Sequence, residues 1–320
     1  MKVLVGPNLQ GLERALPSLQ RDYPQLEFAH CSEREALADA IRDVDIYLGW
    51  LNRDVFLAAK KLVWIQSPSS GINYYLAIPE LVESDILLTS ARGTHGACLA
   101  ESVLAMILAF TRGIREAVLR QQRHEWAIRD IRGKLVELTD STLGIIGFGT
   151  VGRALARRAQ AFDVRIVAVD LYPTDKPEHV AGLWGLDRLP HLLQESDYVV
   201  VAVPYTPETH GMIGAEQLAL MKPTAILVGI SRGKIIDEKA LAQALREKRL
   251  AAAALDVFDQ EPLPPDSELW DLENLLITPH IAGGTQFEAQ HILDIFHENL
   301  GRFLRGDLPL RNQIDKKRGF

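Results

Sequence analysis

Short runs of β-branched and apolar residues alternate along this chain with stretches of helical periodicity, from its first residues to about position 278. That alternation is the mark of βαβ units and a parallel sheet. In the first third, strands are expected at KVLVG (2–6), LEFAHC (26–31), DIYLGW (45–50), LVWIQS (62–67) and ILLTS (86–90), with helices between them. Ser32 followed by Glu35 reads as a capping box opening the segment SEREALADAIRD. One long helix is expected over about 97–126, followed by a polar, Arg-rich connector reaching 138. From 141 the alternation restarts with TLGII, RIVAV (165–169), YVVVAV (198–203), AILVG (225–229), AAAALDV (251–257) and NLLIT (274–278). Those are six strands, the number a doubly wound dinucleotide fold requires. The tail reads as helical over about 286–303 and then as coil.

Composition narrows the class. A chain of 320 residues is long for one core and suits two domains. Apolar residues at 47% and charged residues at 24% are ordinary globular values, which disfavours disorder. The net charge of −7 gives no basic field for nucleic acid or an anionic membrane, so neither is expected as a partner. Two cysteines, Cys31 and Cys98, are too few for a disulfide framework and point to a reducing, cytoplasmic setting. The opening MKVLVGPNLQ lacks a signal-peptide core, and the most apolar segment, LAESVLAMILAF (99–110), is too short to span a bilayer.

The first chemical motif is Gly147-Phe148-Gly149-Thr150-Val151-Gly152, set between the strand TLGII and the helical pattern RALARRAQAF. The first glycine permits a tight turn, the second lets backbone approach a pyrophosphate, and the third lets helix and strand pack closely. The helix N-terminus then offers N–H groups and a partial positive charge to phosphates. The next strand ends in Asp170, placed to accept hydrogen bonds from a ribose diol and to repel a 2′-phosphate. NAD(H) is therefore expected over NADP(H).

In open parallel sheets, ligands bind outside the carboxyl ends of the strands. There the chain places Ile230-Ser231-Arg232-Gly233 after AILVG, Asp256 at the end of AAAALDV with Glu261-Pro262 beyond it, and Thr278-Pro279-His280 after NLLIT. Singly, each could be a turn residue; four polar groups on the cofactor edge argue for chemistry. Arg232 can hold a carboxylate in a planar, bidentate grip. His280 suits proton donation to a developing alkoxide, and Glu261 would orient its ring and favour the charged form. Asp256 would accept from the nicotinamide carboxamide. Pro279 fixes the chain direction, and Ala282, Gly283 and Gly284 leave room for a cofactor.

These segments, with VPYTPETHGMIG (203–214), SRGKIIDEKAL (231–241), LDVFDQEPLPPDSELW (255–270) and ITPHIAGGT (277–285), resemble the D-isomer-specific 2-hydroxyacid dehydrogenases over nearly the whole chain. The resemblance implies an α/β protein with a Rossmann-type doubly wound NAD-binding domain and a smaller flavodoxin-like substrate domain, the active site lying in the cleft. It implies that 1–97 completed by 286–320 bind substrate and that 98–285 bind NAD(H). It implies a catalytic set of Arg232, Glu261 and His280. Further cofactor contacts carry over to Thr150, Val151, Pro204, Thr209, Ile230, Ser231, Asp256, Ala282 and Gly283. The stretch Ser69-Ser70-Gly71-Ile72-Asn73 matches the family's substrate loop, so the N–H groups of Ser70 and Gly71 would bind the substrate carboxylate. The helix over 99–110 resembles the family's dimer element, which implies a homodimer; a buried interdomain helix is the alternative reading of the same segment.

The chain departs from the common pattern at Gly229, where many members have Asn, and at Asn73, where many have Asp. The segment Arg92-Gly93-Thr94-His95-Gly96 lacks an Asn that many carry, which raises the question of whether Arg92 and His95 face the pocket. The expected reaction is reversible hydride transfer between NADH and a small 2-keto acid resembling glyoxylate or hydroxypyruvate, giving the D-2-hydroxy acid. Two other readings stay open at this point. One is an NAD(H)-sensing scaffold that keeps the same set. The other is a formate dehydrogenase, against which Glu261 argues because that family pairs its histidine with Gln.

Overall fold

The computed structural model describes residues 1–318. The chain divides into two units: Met1–His95 with the segment from Thr285 onward, and Gly96–Gly284.

The first unit is built on β1 (Lys2–Val5), β2 (Glu27–His30), β3 (Ile46–Leu48), β4 (Trp64–Gln66) and β5 (Leu87–Thr89). All are parallel, in the order β2-β1-β3-β4-β5, with order reversing between β1 and β3. The C-terminal helix Glu288–Arg305 covers one face, packing Ile292, Phe296 and Leu300 against Val3, Val5 and Trp64. A buried polar chain locks it in place. Trp64 Nε1 donates to Thr89 Oγ1 at 2.8 Å, which donates to Gln66 Oε1 at 2.7 Å. Asn299 Nδ2 donates to that same Gln66 oxygen and to the carbonyl of Arg311, while Asn299 Oδ1 accepts from Arg311 N at 2.7 Å. The tail then lies beside β5, with Ile314 N donating to Leu88 O.

The second unit holds β6 (Thr142–Ile146), β7 (Arg165–Val169), β8 (Gly182–Trp184), β9 (Tyr198–Val201), β10 (Ile226–Gly229), β11 (Ala252–Leu255) and β12 (Leu275–Ile277). The parallel order is β12-β11-β10-β9-β6-β7-β8, the doubly wound arrangement with one strand added beyond its usual six. Residues of every central strand are buried on both faces, which explains their near-continuous apolar runs. Successive residues feed two cores: Ile146, Val199, Leu227 and Ala253 on one face, Ile145, Val200, Val228 and Ala254 on the other.

Three sequence expectations need correction. Gly182–Trp184 is a seventh strand, missed because three residues beginning in glycine carry no readable alternation. The long helix over 97–126 is two, Gly96–Thr111 and Ile114–Gln121, meeting at 67°. Gly113 adopts φ 64° there, and a Cβ on it would sit 2.6 Å from Ile131. The capping box at Ser32 and Glu35 does not form: the helix is the single turn Leu37–Ala40, and its N-cap Ala36 has no side-chain bond. Among the described residues, no single helix is long and apolar enough to cross a membrane.

Asn299→Ala removes a buried donor and acceptor and leaves Gln66 Oε1 and Arg311 N short of a partner. It is expected to lower unfolding stability by about 2 kcal/mol; denaturant unfolding with an unchanged midpoint would contradict this.

Candidate active site

The glycine-rich turn after β6 is shaped by close approaches at two of its glycines. Gly147 has φ 97°, and a Cβ there would lie 2.8 Å from the backbone of Ala202 and Val203. A Cβ on Gly152 would lie 2.3 Å from Gly147 O, so only glycine lets the following helix sit this near the turn. Gly149 faces open space instead. The helix Thr150–Ala159 begins there with no side-chain cap, leaving N–H groups of its first turn directed at that space. This suits a pyrophosphate. Asp170 closes the turn from β7: its Oδ2 accepts from Phe148 N at 2.6 Å and its Oδ1 from Tyr172 N at 2.9 Å.

Strand order decides what stands beside what on this edge. Because β10, β11 and β12 are adjacent and parallel, the loops bearing Arg232, Glu261 and His280 leave the sheet side by side. Pro204 and Thr209 sit one loop further, after β9, where Thr209 Oγ1 donates to Pro204 O and accepts from Thr206 N.

His280 is oriented twice over. Its backbone takes φ 54°, with His280 N donating to Asp256 O at 2.9 Å. Its ring Nδ1 lies 2.6 Å from Glu261 Oε2, and the imidazole is 46% exposed. A carboxylate at Nδ1 keeps a proton on that nitrogen, so Nε2 is the atom left to exchange one. Glu261 is held in turn, since its Oε1 accepts from Phe258 N at 2.9 Å.

Asp256 is buried and acts on the same turn. Its Oδ1 accepts from Thr278 Oγ1 at 2.6 Å and Ile281 N at 2.9 Å, and its Oδ2 from Ala282 N at 3.0 Å. Three bonds leave roughly one of a carboxylate's four acceptor positions for anything else. The helix Gly96–Thr111 fixes the far side of the turn, with Cys98 Sγ donating to Gly283 O and Ser102 Oγ to Ala282 O.

The Arg232 loop is pressed onto the Glu261 loop. A Cβ on Gly233 would fall 1.9 Å from Phe258 O, so the two backbones touch where glycine stands. Lys234 N donates to Asp259 Oδ1, and Asp259 N donates to Glu238 Oε1 at 2.7 Å. Arg232 Nη1 donates to Ser231 O at 2.5 Å. Ile230 is buried, and the buried Ser231 Oγ has no hydrogen-bond partner among the described residues.

In the first unit, the loop after β4 is stitched by its own hydroxyls. Gly71 N donates to Ser69 Oγ at 3.2 Å, and Ser70 Oγ meets His95 Nδ1 at 3.0 Å. Arg92 is exposed, its carbonyl accepting from Asn312 Nδ2. The supporting roles of Ser102 and Glu238 carry no signal in the sequence, and Thr278 and Gly233 enter it only as strand-end neighbours of His280 and Arg232.

The family described as "D-isomer specific 2-hydroxyacid dehydrogenase, NAD binding domain" matches residues 104–282. The glyoxylate reductase of Korarchaeum cryptofilum is 36% identical over 291 residues, covering 86% of this chain and 84% of that protein. The D-3-phosphoglycerate dehydrogenase of Methanocaldococcus jannaschii is 34% identical over 312 residues; this is 96% of the chain but only 58% of that longer protein. Among solved structures, an NADPH-dependent glyoxylate/hydroxypyruvate reductase from Sinorhizobium meliloti, in complex with NADP and sulfate, superposes with a TM-score of 0.85 at 25% identity, covering 100% of both chains.

Burial holds the Glu238 carboxyl above its ordinary value of 4.5; the Asp259 N–H pulls it down, and the charges of Asp259, Asp237 and Glu261 push it up. A carboxyl raised on folding stabilises the fold fully below its unfolded value, and that contribution is lost as pH rises through the folded value. Glu238→Gln, which keeps the oxygen accepting from Asp259, is therefore expected to melt higher than the parent at pH 8 and level with it at pH 4. Melting curves at both pH values check this, and an advantage growing toward acid pH refutes it.

Proposed function

The chain belongs to the D-isomer specific 2-hydroxyacid dehydrogenase family, oxidoreductases acting on the CH–OH group of 2-hydroxy acids, and from that premise we propose that it reduces a small 2-keto acid of the glyoxylate or hydroxypyruvate kind. The observation that carries this reading is the 2.6 Å pairing of His280 Nδ1 with Glu261, one strand from Arg232 on the same sheet edge. Reduced nicotinamide dinucleotide, when bound, supplies the hydride. The chain's own groups do the rest. Arg232 grips the substrate carboxylate with its planar fork. His280, held by Glu261 at Nδ1, gives a proton from Nε2 to the forming hydroxyl and takes it back in the reverse direction. Ser70 N–H, and Gly71 N–H once released from Ser69 Oγ, are the proposed backbone donors to that carboxylate.

The same reading gives the second unit to the dinucleotide and the first to the substrate. Gly147, Gly149, Thr150, Val151 and Gly152 would cradle the pyrophosphate. Asp170 would accept from the adenosine ribose, favouring NAD(H) over NADP(H), although the Sinorhizobium meliloti relative holds NADP. Pro204, Thr209, Ile230, Ser231, Asp256, Ala282 and Gly283 would line the nicotinamide side. Asp256 has one acceptor position left for the carboxamide after holding the 278–282 turn.

A homodimer is part of the proposal. The helix Ile114–Gln121 buries none of its residues, and Ile114, Val118, Trp126, Ile128 and Val136 are exposed, Trp126 by 93%. Large apolar side chains left in solvent along this segment support its being covered by a second copy.

With NADH and a panel of glyoxylate, hydroxypyruvate, phenylpyruvate and 2-ketoisocaproate, turnover is expected, fastest on the small members. His280→Ala is expected to lose roughly 10²–10⁴ in kcat while binding NADH normally. No turnover of any panel member by cofactor-bound protein would end the proposal. Sedimentation should give twice the chain mass for the parent and the single mass for Val118→Glu/Trp126→Glu; a monomeric parent would remove the dimer.

A further inference from the structure

The loop after β5 carries a second imidazole to the loop after β4. His95, 15% exposed, places Nδ1 3.0 Å from Ser70 Oγ and 2.7 Å from Thr94 Oγ1. Counting hydrogens gives one self-consistent assignment of both bonds, which the tautomer of the ring decides. Each hydroxyl has one hydrogen, and each reaches the carbonyl of Ala91, at 3.2 Å for Ser70 and 2.8 Å for Thr94. A carbonyl oxygen has two lone pairs, enough for the two hydroxyls, the approach of Thr94 N to the same oxygen being the longest of the three at 3.4 Å. Two hydroxyl oxygens then present lone pairs to one ring nitrogen, an attractive arrangement only when Nδ1 carries a proton.

The other side of the ring is also organised. Glu288 Oε1, at the start of the C-terminal helix, lies 3.9 Å from His95 Nε2, and Gln10 Nε2 donates to that oxygen at 3.1 Å. Backbone bonds join the same loops, Ala91 N donating to Ser69 O at 3.0 Å. The ring thus meets two hydroxyls at Nδ1 and faces a carboxylate 3.9 Å from Nε2, which ties the 69–73 loop to the loop after β5.

We infer that His95 is a positioning residue for substrate recognition: its Nδ1–H fixes the Ser70 hydroxyl and thereby aims the N–H groups of the 69–73 loop at the substrate carboxylate. The inference rests on the reading of that loop under Proposed function. It separates two imidazoles by task, His280 for the proton and His95 for the binding loop. Loss of His95 should weaken substrate binding and leave the chemical step alone.

The test uses the two amides that copy one ring nitrogen each. The nitrogen of an asparagine side chain falls near Nδ1 of histidine, and that of glutamine near Nε2. With NADH and glyoxylate, His95→Asn should keep KM within about threefold of the parent. His95→Gln and His95→Ala should raise KM about tenfold, the effect of one lost hydrogen bond, with kcat within about threefold and NADH affinity unchanged. A KM unmoved in His95→Ala, or equal KM values for the Asn and Gln variants, overturns the inference. Imidazole ¹⁵N resonances supply a measurement that needs no turnover: the signal lost in His95→Asn should report the Nδ1–H tautomer, and an Nε2–H tautomer overturns the inference. A chain that reduces no 2-keto acid defeats the functional reading, while the tautomer still decides whether His95 is placed as described.

Discussion

The buried carboxylate of Asp256 is the constraint on which this edge of the second unit depends. Backbone leaving β12 has to turn at once, and His280 must hold φ 54° to do so. A residue other than glycine stays in that region only when its surroundings dictate it. Asp256 dictates it by collecting Thr278 Oγ1, Ile281 N and Ala282 N on one carboxylate, while its carbonyl takes His280 N. The imidazole is therefore aimed by backbone geometry before Glu261 touches the ring.

Close backbone approach is the second device, and it recurs wherever two strand-end loops must meet. Gly233 lets the Arg232 loop rest on Phe258, and Gly152 lets the helix Thr150–Ala159 begin against Gly147. Each contact sits where a single methyl group would collide with backbone, which cannot move aside as a side chain can. Around Gly233, Lys234, Asp259 and Glu238 add bonds that keep the Glu261 loop from drifting. The charged groups of the site are exposed enough to meet solvent, yet their anchors are buried or backbone-bonded.

The first unit solves a different problem. Its strands are only three or four residues long, too short to hold a sheet by themselves. The C-terminal helix supplies the missing apolar cover, and the Trp64–Thr89–Gln66–Asn299 chain makes its docking specific. Hydroxyls then order the loops above: Ser67, Ser69, Ser70 and Thr94 each bond to neighbouring backbone or to His95.

The α/β class was legible because strands buried on both faces must be apolar throughout, and RIVAV or AILVG can be little else. The glycine turn was legible because its spacing is set by covalent geometry. So was the placing of Arg232, Glu261 and His280 at strand ends, since a strand's end shows in the run itself. Three residues at Gly182–Trp184 hold no period to read, and the bend at Gly113 falls within a segment that reads as one helix, its cause being contact with Ile131 from further along the chain. That His280 meets Glu261, that Asp256 spends three bonds on a turn, and that His95 reaches Ser70 were decided by strand order and loop packing. Local sequence records which groups a segment offers; which of them come within 3 Å depends on partners distant along the chain, and only the folded arrangement supplies those.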